Sequence, residues 1–126
     1  MCMADGCDPN RVSRSEDRRA RKSHTCDECR RTIQAGEPYQ HTSGIDYDGY
    51  AFRHRICSHC RIGAEWLGTN CGGYVMTCVA EDLAEHSSEY NRPDLQEFVD
   101  AMTAQWVGLP IPAMPQPLKL GDARIG

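Results

Sequence analysis

Two cysteine pairs, Cys26-x-x-Cys29 and Cys57-x-x-Cys60, stand 27 residues apart in this chain. A C-x-x-C pair brings two thiolates onto one tetrahedral ion at about 2.3 Å, and its tight loop aims backbone N–H groups at the sulfurs. Two such pairs make a closed four-sulfur site, the structural kind, with no position left for a substrate. The expected ligand set is therefore Cys26, Cys29, Cys57 and Cys60, and the expected ion is Zn²⁺. Four buried apolar thiols would not require paired spacing. A redox C-x-x-C follows a strand and opens a helix in a βαβ unit, and two matched pairs argue against that reading.

The surroundings suit a metal. The first pair precedes a turn at Ala35-Gly36, and Tyr39–Ile45 and Tyr50–Ile56 read as two strands joined through Asp48-Gly49, a strong hairpin signal. Ser58–Leu67 reads as a helix stopped by Gly68, so the second pair sits at a helix start, where the dipole favours thiolates. Asn70–Gly73 reads as a turn, residues 79–90 as a second helix and residues from Pro93 to about Trp106 as a third. In the third helix Leu95, Phe98, Val99, Met102 and Trp106 form one apolar stripe. The expectation is that the stripe packs on the finger or the second helix, with Phe98, Met102 and Trp106 as interface residues if a partner or second copy covers it instead.

At CDECRRTIQAGEPY…FRHRICSHCRIGAEWL, residues 26–67, the sequence resembles a treble-clef zinc finger: knuckle, hairpin, then a helix carrying the second ligand pair. It is similar, more loosely, to small zinc proteins of bacteriophages and actinobacteria. The resemblance implies a small α+β fold, a zinc-stabilised treble clef followed by two short helices. It is specific for metal and fold rather than for activity, because treble clefs serve in nucleic-acid binding, protein docking and nucleases. His54-x-x-Cys57 keeps a mixed ligand set open, an arrangement that resembles the finger of poly-ADP-ribose polymerases. A second site built from Cys2, Cys7, Cys71 and Cys78 is the weaker reading; Cys71 and Cys78 read first as core thiols.

The implied organisation is a flexible basic arm over 1–23, with Ser13–Ser23 a short solvated helix at most, a finger over 24–68, a helical extension over 69–107 and an extended, unpacked Pro-rich tail over 108–126. The net charge of −4 is unevenly spread. Residues 11–61 carry eleven Lys and Arg against seven Asp and Glu, whereas residues 62–126 carry three against nine. Twelve of the fourteen basic residues are Arg, the side chain suited to planar recognition of phosphate. Arg18, Arg19, Arg21, Lys22, Arg30, Arg31, Arg53 and Arg55 are the candidate nucleic-acid contacts. Tyr39, Tyr47, Tyr50 and Phe52 are candidate stacking faces for single strands, with Tyr50 and Phe52 read first as packing residues. The competing account of the arginines is that those beside the ligands balance a cluster whose four thiolates and Zn²⁺ sum to −2.

No Ser-His-Asp set, P-loop or dinucleotide motif occurs. An HNH nuclease would need a hairpin histidine together with a helical metal-binding one; His41 and His54 lie in strands and no helical histidine follows at suitable spacing. The expectation is a non-enzymatic adaptor or regulator contacting nucleic acid or a nucleic-acid-handling complex, as a monomer or weak homodimer. The rival is a protein-interaction module, phage-encoded in one version, that docks its acidic helical half on a host protein. No apolar run reaches the roughly 18–20 residues of a membrane span. Met1–Asn10 has no secretory-signal pattern, and the cytoplasm is the expected compartment.

Overall fold

The computed structural model describes residues 10–118. In chain order its elements are β1 (Asn10–Arg19), β2 (His24–Thr25), β3 (Thr32–Ile33), β4 (Pro38–Asp46), β5 (Ala51–Cys57), α1 (Ser58–Cys71), α2 (Val79–Tyr90) and α3 (Pro93–Thr103). β2 and β3 form a two-stranded ribbon, and β1, β4 and β5 an antiparallel sheet in the order β1-β4-β5. Over the described residues the chain is a small α+β protein with three helices.

The β4–β5 hairpin closes as its Asp-Gly signal predicts. Asp46 Oδ1 accepts from the N–H groups of Asp48 and Tyr50 at 3.0 and 2.9 Å, and Gly49 holds φ at 90°, a value that favours glycine.

β1 corrects the reading of residues 13–23 as a short helix or flexible arm. Its backbone pairs with β4 residue by residue, Arg14 opposite Ser43, Glu16 opposite His41 and Arg18 opposite Tyr39. An edge strand charged along one face carries no apolar alternation, so nothing in its pattern announces a strand. Residues 1–9 of the expected arm, Cys2 and Cys7 among them, lie outside the described residues.

α1 runs three residues past Gly68 to Cys71 and is capped by Gly72, whose φ of 82° is left-handed. One interior glycine costs about 1 kcal/mol, which burial of Trp66, Leu67 and Cys71 on either side of Gly68 offsets. Residues 70 and 71, read as turn, therefore belong to the helix. α2 ends at Asn91 in the left-handed region. α3 starts with Pro93 and ends at Thr103; Gln105 and Trp106 both have positive φ, so Trp106 stands beyond the helix.

Phe98, Met102 and Trp106 are packed inside the chain, as the core alternative expects. They are 6%, 1% and 4% exposed, and they join Trp66, Leu67, Leu83, Val79 and Leu95 in one core. Phe98 and Trp106 pack edge to face with ring centroids 4.9 Å apart. The helices approach closely because Gly63 of α1 has no side chain: a Cβ there would sit 2.7 Å from Phe98 Cε1 and 2.9 Å from Leu83 Cδ1.

The Pro-rich segment is also corrected, as far as Leu118. It has no regular structure, but it is strapped to the helices. The indole N–H of Trp66 donates to the Gln116 carbonyl at 2.9 Å, the Leu118 N–H to Asn70 Oδ1 at 2.9 Å and Arg92 to the Gln116 carbonyl at 2.7 Å. Among the described residues no helix is long and apolar enough to cross a membrane.

Candidate metal centre and cationic cleft

The first cysteine pair lies in the turn between β2 and β3, and the second at the junction of β5 and α1. Asp27 joins the two regions. Its N–H donates to the Arg55 carbonyl at 2.8 Å, and its carboxylate accepts from the Arg55 N–H at 2.7 Å. This docking brings all four sulfurs within 4.8 Å of one another, with Cys29 and Cys57 at 3.9 Å, and all four residues are buried. A tetrahedron with arms of about 2.3 Å has edges of about 3.8 Å, so the spacing fits one metal ion.

The donors around the sulfurs make the same point. Cys26 Sγ accepts from the N–H groups of Glu28 and Cys57 at 3.4 Å, Cys29 Sγ from Arg31 at 3.4 Å and Cys57 Sγ from Cys60 at 3.5 Å. The Trp106 indole N–H points at Cys60 Sγ from 3.3 Å. Every sulfur is surrounded as an acceptor, which suits thiolate. Cys57 also caps α1, whose first turn contains no acidic residue.

Hydrogen bonding with Cys29 holds Cys26 down at about 6, and contacts with Cys26 and Cys29 hold Cys57 lower still. Neighbouring sulfurs, Cys26 first, push Cys29 and Cys60 up. The bare cluster therefore ionises in part, whereas a divalent cation would stabilise all four thiolates. Burial opposes the charge of Arg31, yet hydrogen bonds to Glu37 and Cys57 hold its pKa above the ordinary arginine value.

The histidines near the cluster are engaged elsewhere. His54 Nε2 meets Glu28 Oε2 at 2.7 Å, with both side chains buried. His59 Nε2 meets the Leu109 carbonyl at 3.0 Å, and its ring lies 5.4 Å from that of Trp106. His24 packs on Tyr39, centroids 5.4 Å apart. Among the described residues the four cysteines are the one group of three or more His, Cys, Asp or Glu side chains placed to hold a metal. Cys71, buried at the end of α1, is disulfide-bonded rather than the core thiol expected, and Cys78 is a half-buried free thiol before α2.

The arginines divide. Arg18, Arg19, Arg21, Lys22 and Arg55 line one cleft with Ala20, His24 and Tyr39, and no carboxylate lines it. Residues directly opposite in an antiparallel ladder share a face, so Arg14, Ser43 and Arg53 form one row of the sheet and Glu16, His41 and Arg55 the next. Arg53 stands one row along the sheet from Arg55 and does not line the cleft; it borders a second one with Asp27, Asp46, Phe52 and His54. Arg30 is exposed at the knuckle and does not line the cleft, and Arg31 is paired with Glu37 at 2.7 Å. Contiguity in sequence groups those two with the other candidate contacts, because it does not reveal the ion pair or the turn that separates them. Tyr39 is buried in the cleft wall, whereas Tyr47 and Tyr50 are 65% and 72% exposed at the hairpin tip.

No protein-family model matches the sequence, no curated protein matches it, and no solved structure matches its fold.

Proposed function

We propose that the chain is a zinc protein of the treble-clef kind, with Cys26, Cys29, Cys57 and Cys60 as ligands, that acts without catalysis by binding nucleic acid. Zn²⁺ in a closed four-thiolate site supplies folding energy rather than reactivity. The rest of the work falls to the chain's own side chains. Arg31 tempers the cluster's negative charge, Asp27 holds the two cysteine pairs together, and the sheet supports a surface that meets phosphate.

The observation that carries the reading is the cleft lined by five cations and no carboxylate; among the described residues only Arg18 of the five is paired with an acid, Glu16 just outside the lining. Balancing the cluster accounts for Arg31, whose charge the cluster favours, but not for Arg21 and Lys22, which lie exposed along the cleft. The test is binding of labelled DNA and RNA by the zinc-loaded protein across a salt series. Arg21→Glu/Lys22→Glu should weaken binding at least about tenfold and flatten the salt dependence, since each lost phosphate contact removes about 0.7–0.9 from the log–log slope. No binding at low salt would refute the reading.

A second reading rests on the acidic residues of the helices. Glu81, Glu85, Glu97 and Asp100 are exposed on α2 and α3, a surface suited to a basic protein. Capture from native cytosol with and without nuclease separates the two, because a direct protein partner survives nuclease treatment.

A further inference from the structure

We infer that the ligand is a single strand, which lies along the open face of the three-stranded sheet and stacks its bases on Tyr47 and Tyr50. The inference rests on the nucleic-acid reading and deepens it.

Three features lie in line. At one end is the cationic cleft, with Arg18, Arg21, Lys22 and Arg55. In the middle, two residues along β5, lies the row of Arg14 and Arg53, both exposed. Successive rows are about 6.6 Å apart, and about 13 Å of strand separates Arg55 from Ala51. Beyond Ala51, at the far end, the hairpin tip holds out Tyr47 and Tyr50. The one acid on these rows, Glu16, is occupied by Arg18 and Arg14. The track is therefore a positive strip about three strands wide that ends in two aromatic rings, where Asp46 is taken up by the turn's N–H groups and Asp48 is exposed between the rings in sequence.

A duplex has little use for such a tip. Its bases are stacked on one another and present no free ring face, whereas the bases of a single strand do. The tip is also built to hold its shape without the tyrosine side chains: Asp46 and Gly49 make the turn, and neither ring belongs to the core. Two large aromatic groups kept in water on a rigid turn beside a row of arginines fit a ligand that brings both phosphates and exposed bases.

The experiment uses the zinc-loaded full chain and fluorescence anisotropy with a mixed-sequence strand of about 12 nucleotides, within the site size of such platforms. It is run as DNA and as RNA, alone and as the duplex, with poly-glutamate as a charge-matched competitor. The expected result is single-strand binding at least about tenfold tighter than duplex binding. Tyr47→Ala/Tyr50→Ala should lower single-strand affinity at least about tenfold with duplex affinity unchanged, as loss of base stacking requires. Poly-glutamate should compete poorly. Duplex binding as tight as single-strand binding, a tyrosine variant that binds single strands normally, or equal competition by poly-glutamate would each overturn the inference while leaving a cationic anion site. Absence of binding to every nucleic acid would overturn the underlying reading as well.

Discussion

Arg30 holds φ at 67°, in the left-handed region, directly after the second ligand of the first pair. A side chain there costs about 1–2 kcal/mol, and replacement by glycine recovers it less the entropy that glycine adds to the unfolded chain. Arg30→Gly should therefore raise the stability of the metal-loaded protein by roughly 0.5–1 kcal/mol, read by thermal denaturation, and leave nucleic-acid binding unchanged because Arg30 does not line the cleft. At His41, burial first and then Arg18 and Arg55 depress the imidazole pKa below its usual 6.5. The unfolded chain then takes up the proton first, so stability is complete above about pH 6.5 and falls as the pH drops through that value. Denaturation midpoints between pH 7.5 and 5.5 should show this loss, and a His41→Gln variant should show less of it.

Among the elements, α2 depends on a residue distant in sequence. Its N-cap, Cys78, makes no side-chain cap bond. The buried Glu28 carboxylate instead accepts from the N–H groups of Thr77 at 2.6 Å and Val79 at 3.1 Å while pairing with His54. Glu28→Ala removes this cap and leaves a buried histidine without its partner, a loss of about 3 kcal/mol or more. Hydrogen exchange should show it as faster exchange of the amides at the start of α2. Gly63→Ala should cost about 1–3 kcal/mol by forcing Phe98 and Leu83 away from α1; an unchanged melting temperature would show that the helix packing is looser than described. The hairpin, α2 and the start of α3 were readable because turn chemistry and apolar periodicity are local signals. β1 was not, because its partner is 19 to 36 residues away and its residues are polar. Glu28 was passed over inside the C-x-x-C loop because a cap formed across about 50 residues leaves no pattern in sequence.

For the molecule as a whole, the cysteine cluster is where the two halves meet. The knuckle, the end of β5 and the first turn of α1 supply its sulfurs, and Trp106, from beyond α3, donates to one of them. Glu28, between two of the ligands, holds α2. The sulfur site was readable from spacing alone, because the chemistry of four thiolates requires that spacing. The contacts of Trp106 and of the 109–118 strap were not, since a Pro-rich stretch without periodicity gives no sign of what it lies against. These contacts imply that the metal organises the helical half as well as the finger, so its removal should unfold both together. The most direct test is metal content by native mass spectrometry alongside circular dichroism during chelation. One zinc per chain, with hairpin and helical signals lost in a single transition as the metal leaves, is the result this account requires. Less than about half an equivalent of zinc, or a cooperative fold that persists under chelator, would contradict it.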